Sequence, residues 1–157
     1  MAVDDVVFIT GASTGLGLAL AQLLLRKTEH RLVLTARETS LPRFAEAGID
    51  ASDRVMLLAL DVRGMKAREE AVAAVAKRWG GVDVLVNNAG ITRDNLLFRM
   101  GEEDWDDVIA TNLSSCFHWT KALGRPMTRK RWGRIVNVSS VVGLTGNAGQ
   151  ANYSAAK

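Results

Sequence analysis

The sequence predicts an α/β fold in which a mostly parallel sheet is covered by helices on both faces. Two observations predict it. Short runs rich in β-branched residues alternate with longer segments that have helical spacing, and a glycine-rich turn joins the first strand to the first helix. Strands that alternate with helices are typical of parallel sheets, because each crossover lays a helix on one face of the sheet.

Length and composition exclude several classes of protein. The 157 residues, 48% of them hydrophobic and 24% charged, predict one globular domain over residues 1–157. No apolar run is long enough to span a bilayer, and the amino terminus does not resemble a signal peptide, so we expect no membrane association and a cytoplasmic location. Cys116 is the only cysteine, which excludes an internal disulfide and agrees with a reducing compartment. The net charge of +3 is too small to indicate nucleic acid as a partner.

The first strand, predicted over residues 6–10, leads directly into a glycine turn and then a leucine-rich helix over residues 16–27. Such a turn leaves free backbone N–H groups at the helix N-terminus, where the helix dipole favours an anion and missing side chains let a pyrophosphate approach. The turn therefore predicts a dinucleotide site, with a plain tight turn as the alternative. The residues of this predicted phosphate-binding turn are Gly11, Ala12, Ser13, Thr14, Gly15, Leu16 and Gly17.

The second strand, predicted over residues 31–35, is followed by Arg37. In dinucleotide folds an acidic residue at the end of this strand holds the ribose of NAD, whereas an Arg accommodates the 2′-phosphate of NADP. Arg37 therefore favours NADP(H). An exposed Arg at a strand end is the alternative, and the adjacent Glu38 weakens the signal.

The third strand, predicted over residues 55–60, is continuously apolar, as expected of a strand that is buried on both faces of a parallel sheet. Asp61 and Val62 follow it, in a position to meet an adenine edge. A helix is predicted over residues 65–78 and a fourth strand over residues 82–86.

The fourth strand ends in Asn87, Asn88, Ala89 and Gly90. Ligands of open α/β sheets bind at the carboxyl ends of parallel strands, which makes these residues candidates for cofactor binding. Hydrogen bonding within the turn is the alternative role for the two asparagines, and both roles are compatible.

The second half of the chain carries a predicted helical segment over residues 102–131, as one long or two consecutive helices that contain Asn112. Gly124 and Pro126 interrupt its later part, and we expect a kink there, because an interior Pro removes a helix hydrogen bond. A fifth strand is predicted over residues 135–139 with Ser140 at its exit, and residues 141–150 have the composition of a loop.

Tyr153 and Lys157 are four residues apart, so on a helix they lie on the same face. A Lys cation beside a phenol favours the phenolate, which makes Tyr153 a usable acid or base. Alone, the pair is far more typical of a solvated helix face than of catalysis.

Three motifs together resemble the short-chain dehydrogenase/reductase family. They are Thr10-Gly11-x-x-x-Gly15-x-Gly17, Asn87-Asn88-Ala89-Gly90, and Ser140 placed thirteen residues before Tyr153-x-x-x-Lys157. The resemblance implies a doubly wound Rossmann fold and an NADP(H)-dependent carbonyl reductase. It further implies that Tyr153 donates a proton, Ser140 orients the carbonyl, and Lys157 stabilises the phenolate and binds the nicotinamide ribose.

The same resemblance makes Asn112 the residue that supports a bound water in a proton relay to Lys157; judged alone, it is an ordinary helix asparagine. No metal is expected, because neither His30 nor His118 has companion ligands.

From Asn87 onward the sequence closely resembles the branch of the family that reduces 3-oxoacyl thioesters of acyl carrier protein, whereas earlier residues show only the general pattern. We therefore expect a 3-oxoacyl substrate and a homo-oligomer, and the two parts of the chain could differ in origin. By resemblance, Arg131 docks the acidic carrier. The alternative is a solvated helix end for the whole basic cluster, which comprises Arg125, Arg129, Lys130, Arg131 and Arg134.

Two further functions stay open. Within the enzyme class, the alternative is a broader ketone reductase or secondary-alcohol dehydrogenase. In a different class, the chain is an inactive nucleotide-binding fragment if it truly ends at Lys157, since members of the family continue for about another third of a chain. We expect the 157 residues to be part of a longer chain, and a measured mass near 17.0 kDa for the expressed polypeptide would favour the fragment.

Overall fold

A computed structural model describes residues 4–157 of the chain. Its strands are β1 (Val6–Ile9), β2 (Arg31–Ala36), β3 (Val55–Ala59), β4 (Val84–Asn87) and β5 (Arg134–Asn137). They form one sheet in the order β3-β2-β1-β4-β5, and the pairings between them are all parallel. Chain order reverses between β1 and β4, which creates the switch point where doubly wound folds bind ligands. The predicted fold class is confirmed.

Helices connect these strands. They are α1 (Gly15–Lys27), α2 (Pro42–Glu46), α3 (Met65–Trp79), α4 (Glu102–Ile109), α5 (Ser115–Arg129), α6 (Val142–Thr145) and α7 (Ala151–Ala156). A π-helical segment, Ala110–Ser114, joins α4 to α5, so the predicted helical segment over residues 102–131 is two helices with a wider turn between them. Among residues 4–157, no helix combines the length and the apolar character that a membrane crossing requires.

The core consists of two apolar layers, one on each face of the sheet. Successive side chains of a strand point to opposite faces, and β1 follows this rule: Val6 and Phe8 belong to one layer, Val7 and Ile9 to the other. The first layer packs under α3 and α5, where Trp119 is fully buried with its ring centroid 4.7 Å from that of Phe8. The second layer packs under α1 and α2. Helices on both faces hold the carboxyl edge of the sheet in a fixed position.

The third strand contributes to the apolar layers on both faces, as predicted, since Val55 belongs to one layer and Met56 to the other. It lies at the edge of the sheet, and burial decreases along it to an exposed Ala59. One local prediction needs correction. The predicted loop over residues 141–150 contains the single helical turn α6. It forms because the Ser140 hydroxyl accepts a hydrogen bond from the Val142 N–H at 3.2 Å, and Gly146 ends it with a φ of 71°.

Pro126 does not end helix α5, which continues to Arg129. Proline has no N–H to donate within the helix. The side chain of Thr128 donates to the carbonyl of Gly124 at 2.9 Å, which satisfies one acceptor near the proline. The helix therefore carries Arg125 and Arg129 of the basic cluster, and the other members follow its carboxyl end, with Arg134 at the start of β5.

Candidate functional site

A cleft of about 340 Å³ opens at the carboxyl edge of the sheet, where β1 and β4 diverge. It brings together residues that follow the first four strands. Of the predicted cofactor-binding residues it is lined by Gly11, Ser13, Thr14, Arg37, Asp61, Val62, Asn88, Ala89 and Gly90. The remaining residues of the glycine turn do not line it; they are Ala12, Gly15, Leu16 and Gly17.

The glycine turn is pressed against the end of β4. A methyl group on Gly11, whose φ is +63°, would lie 2.8 Å from the Ala89 Cα, and one on Gly17 would lie 2.5 Å from the Asn88 Nδ2. Asn88 uses that amide to donate to the carbonyls of Thr10 and Gly11, each at 2.9 Å. Its side chain therefore holds the glycine turn after β1, whereas the predicted alternative was hydrogen bonding within the turn after β4.

Thr10 fixes the same junction from the other side. Its hydroxyl accepts hydrogen bonds from the backbone N–H groups of Asn88 and Ala89, both at 3.0 Å, and donates to the carbonyl of Val86 at 3.3 Å. The second asparagine, Asn87, is buried and donates to Asn137 at 2.8 Å. The ends of β1 and β4 thus form one hydrogen-bonded unit under the cleft.

The start of α1 leaves donors free. Leu18 N makes the first hydrogen bond of the helix, to the Thr14 carbonyl at 3.2 Å, and the Thr14 side chain does not cap the helix. The N–H groups of the preceding turn have no partner within the helix, and the helix dipole adds positive potential there. Free donors, close backbone approach and an adjoining cleft are the features that a dinucleotide pyrophosphate requires. The residues present fit such a group.

The far end of the cleft is rich in charge. Arg37 is exposed at the end of β2 and lines the cleft together with Arg43 of α2. Arg63 binds the Asp61 carboxylate through Nε at 3.1 Å and Nη2 at 2.7 Å, and it reaches Asp107 of α4 at 2.8 Å. Hydrogen bonds from Arg63 hold the pKa of Asp61 below its usual value. Asp61 and Val62 line the cleft, and their contact with an adenine edge stays a prediction.

Two of the four predicted catalytic residues, Asn112 and Lys157, approach Gly90, and Tyr153 lies next to Lys157. A methyl group on Gly90 would lie 3.4 Å from the Asn112 Oδ1 and 3.5 Å from the Lys157 Nζ. The Lys157 Nζ lies 5.9 Å from the centroid of the Tyr153 ring, as the four-residue spacing predicts, and donates to the carbonyl of Val138 at 2.8 Å. Burial lowers the pKa of Lys157. An amide and an ammonium group thus lie beside a glycine of the cleft, and the phenol lies beside the ammonium group; Asn112, Tyr153 and Lys157 do not themselves line the cleft.

Ser140 lies at the exit of β5, as predicted. Its hydroxyl accepts from the Val142 N–H, so its own hydrogen remains available to donate. The neighbouring Ser139 instead donates to the Lys157 carbonyl at 2.7 Å. This difference agrees with the choice of Ser140 that the spacing to Tyr153 made.

The π-helical segment places Asn112. Its side chain is buried and bonds both backbone groups of Ile91, with Oδ1 accepting from N–H at 2.8 Å and Nδ2 donating to the carbonyl at 2.9 Å. The side chain is therefore committed to Ile91, and the backbone carbonyl is the group of Asn112 that faces a thiol, the Cys116 Sγ, at 3.1 Å.

Sequence reasoning missed several residues of the cleft. Arg43 and Arg63 follow Arg37 and Asp61 by six and two residues, so a scan for basic residues just beyond the predicted strand ends would have found them. Asp107 and Thr111 had no such signal, because only the folding of α4 back over the sheet brings them to the cleft. Within residues 4–157, no group of three or more His, Cys, Asp and Glu side chains is placed to hold a metal.

A family model described as short chain dehydrogenase matches residues 5–157. The 3-oxoacyl-[acyl-carrier-protein] reductase FabG of Vibrio cholerae is 48% identical over 153 residues, which is 97% of this chain and 61% of that protein. The reductases of the same name from Salmonella typhimurium and Haemophilus influenzae are 43% and 44% identical over 152 and 154 residues, again 97% of this chain and 61% and 62% of theirs.

The alignments extend across Asn87, so the resemblance is not confined to the later residues, and separate origins for two parts of the chain are not supported. The chain spans about 61% of the length of these curated relatives. The match over residues 5–157 and the identities above 40% agree with the parallel sheet and the cleft at its switch point. The chain belongs to the short-chain dehydrogenase family, whose members use a nicotinamide dinucleotide.

Proposed function

We propose that this chain belongs to an NADP(H)-dependent oxidoreductase that reduces the 3-oxoacyl group of an acyl-carrier-protein thioester to a secondary alcohol. The observation that carries the proposal is that Asn112 and Lys157 approach Gly90, which lines a cleft that fits a dinucleotide, and that the Tyr153 ring lies next to Lys157. The relatives named as 3-oxoacyl-[acyl-carrier-protein] reductases support the choice of substrate.

The nicotinamide cofactor, when bound, supplies the hydride. The residues of this chain hold it and handle the proton. The glycine turn and the N-terminus of α1 would receive the pyrophosphate, Asn88, Ala89 and Gly90 would hold the nicotinamide half, and Val62 would hold the adenine half; the cleft is lined by residues of each group. The binding set also includes Asp61, through its bridge to Arg63, and the ribose partners Tyr153 and Lys157.

Tyr153 acts as general acid and gives its phenolic proton to the oxygen of the reduced carbonyl. Ser140 donates a hydrogen bond to the same oxygen and orients it, since its hydrogen is not used by any group within residues 4–157. The Lys157 cation, 5.9 Å from the Tyr153 ring centroid, stabilises the phenolate that remains. Asn112 completes the relay by presenting its backbone carbonyl to a water, because its side chain is bound to Ile91.

The preference for NADP(H) rests on positive charge at the adenosine end of the cleft. The Arg37 side chain is exposed beside Arg43, and no acidic side chain pairs with either within residues 4–157. A 2′-phosphate fits two such guanidinium groups. We expect Arg37→Asp to shift the preference towards NADH, and an unchanged ratio of activities with the two cofactors would remove this argument.

The basic cluster supports a carrier protein as partner. Lys130 is bound to Asp83 and the Arg134 guanidinium stacks over Trp132 at 4.2 Å, which leaves Arg125, Arg129 and Arg131 exposed for an acidic surface. The cluster lies at the amino edge of the sheet, opposite the cleft. A carrier docked there would serve the cleft of another subunit, which agrees with a homo-oligomeric cytoplasmic enzyme.

The test measures NADPH oxidation by absorbance, with a 3-oxoacyl thioester as substrate, for the wild-type chain and for Tyr153→Phe. We expect the wild-type chain to be active and Tyr153→Phe, which lacks the hydroxyl, to be inactive. Reduction of simple ketones without reduction of the thioester would favour the broader reductase. Nucleotide binding without turnover of any ketone would favour a nucleotide-binding fragment and would overturn the proposal for this chain.

A further inference from the structure

Asn152, the residue before Tyr153, is completely buried, and its side chain makes three hydrogen bonds. Nδ2 donates to the carbonyl of Arg93 at 3.0 Å and to that of Asp104 at 3.1 Å. Oδ1 accepts from the backbone N–H of Tyr153 at 2.8 Å. Both amide hydrogens and the oxygen are therefore used.

These partners belong to three different parts of the fold. Arg93 lies in the loop that follows β4 and Gly90, Asp104 lies in the first turn of α4, and Tyr153 lies on α7. Helix α7 begins at Ala151, so Asn152 and Tyr153 lie in its first turn. Asn152 supplies the buried contacts that tie this turn to the loop after Gly90 and to α4.

Neighbouring contacts repeat the connection at the surface. Gln150 donates to the Asp94 carboxylate at 3.0 Å, and the Asn95 N–H donates to the Gly149 carbonyl at 2.9 Å. Both lie near water, where hydrogen bonds exchange readily with solvent and contribute less to position. Among these contacts, the ones made by Asn152 are shielded from water.

We propose that Asn152 is a positioning residue for Tyr153: it fixes the start of α7 on the loop after Gly90 and on α4, and so sets where the phenol stands at the cleft. The inference rests on the proposed function, in which Tyr153 is the proton donor. A displacement of about 1 Å is enough to lower a rate strongly, so loss of this anchor acts on the chemical step and leaves nucleotide binding unchanged.

The variant Asn152→Asp keeps the size of the side chain but replaces the donating amide by an oxygen that faces two carbonyl oxygens. Asn147→Asp is the matched control, because the same change there affects an exposed residue whose amide bonds only the Gln150 side chain. Asn152→Ser is a milder second variant, to be used if Asn152→Asp does not fold.

Tyr153 is the only tyrosine of the 157 residues, so fluorine NMR of the chain labelled with fluorotyrosine gives one signal that reports this residue alone. We expect a shifted or broadened signal in folded Asn152→Asp, an unchanged signal in Asn147→Asp, a kcat lowered about tenfold or more, and an unchanged Kd for NADPH. A merely structural role would lower the folded fraction without moving the signal of the molecules that remain folded.

The outcomes separate the two proposals. If the wild-type chain reduces no carbonyl but the signal moves in Asn152→Asp, the proposed function fails and the positioning role stands. If the wild-type chain is active and the signal and kcat of folded Asn152→Asp match it, the positioning role is refuted. Unfolding of both Asn152 variants would also refute it, because Asn152 would then support the fold as a whole.

Discussion

The tightest contact of the glycine turn predicts the effect of one methyl group. Gly17 is buried in α1, and a Cβ there would lie 2.5 Å from the Asn88 Nδ2 and 2.8 Å from the Gly11 carbonyl oxygen. Carbon atoms pack against their neighbours at about 3.5–4.0 Å. The substitution Gly17→Ala must therefore displace the Asn88 amide, which holds Thr10 and Gly11 through two hydrogen bonds.

The expected loss of stability follows from three contributions. Overpacking of a close contact costs about 1–3 kcal/mol, and the two hydrogen bonds of Asn88 contribute about 1 kcal/mol each. The higher helix propensity of Ala offsets about 1 kcal/mol. Gly17→Ala should lower the free energy of unfolding by about 2–4 kcal/mol and weaken NADPH binding, since the displaced atoms border the cleft.

Gly124→Ala is the matched control. Gly124 also lies inside a helix, α5, but a Cβ there would meet nothing within 4 Å. The same substitution should therefore stabilise the protein by up to about 1 kcal/mol. Urea unfolding followed by circular dichroism, with linear extrapolation, measures both variants. A Gly17→Ala midpoint at or above the wild-type value would refute the steric argument, as would an equal loss in both variants.

Three further perturbations test other contacts. Since the folded-state pKa of Asp61 is lowered, its pair with Arg63 contributes stability above the ordinary value of 3.8 that is lost as the pH falls through the lowered value. Arg63→Met should lower the free energy of unfolding by at most about 1 kcal/mol at neutral pH and should leave it unchanged at a pH below both the folded and the ordinary pKa of Asp61. An equal loss at neutral and at acidic pH, measured by urea titration, would contradict this. Trp119→Phe leaves a cavity and removes the hydrogen bond from Nε1 to the Val62 carbonyl at 3.2 Å; it should cost about 2–3 kcal/mol, and an unchanged urea midpoint would show that the site repacks. Burial raises the pKa of the Cys116 thiol, and the Lys157 charge opposes that rise. Lys157→Met should therefore leave less thiolate at neutral pH and slow alkylation of Cys116 by iodoacetamide relative to the wild type. A faster reaction in Lys157→Met would contradict this interaction between the two groups.

The fold could be predicted from the sequence because its signals are local. Apolar runs and turns repeat with the spacing of strands and helices, and the observed ends of β1, β4 and α1 lie within two residues of the predicted ones. The edge position of β3 and the exposure of its last residue, Ala59, could not be predicted, because the composition of a strand does not reveal its place in the sheet. Only the strand order shows that β3 lies at an edge.

The site was predictable to the extent that its residues follow strands. Gly11, Arg37 and Asn88 meet at the cleft because the carboxyl ends of parallel strands share one edge. The partners of these residues could not be predicted, since they depend on contacts between distant segments. Asp61 and Asp107 are joined through Arg63 although α4 lies far along the chain, and no spacing in the sequence indicates that bridge.

The loop over residues 91–95 explains how distant parts of the chain form one candidate centre. At its start, Ile91 is bound on both backbone groups by Asn112, which the wider turn of the π-helical segment holds in a buried position. Two residues later, the carbonyl of Arg93 is bound by Asn152, next to Tyr153. Interruptions of this kind within helices are frequent at functional sites. Asn112 and Asn152 thus hold the same short loop, which begins directly after Gly90. The positions of Asn112 and Tyr153 relative to the cleft therefore depend on each other, although forty residues of sequence separate them.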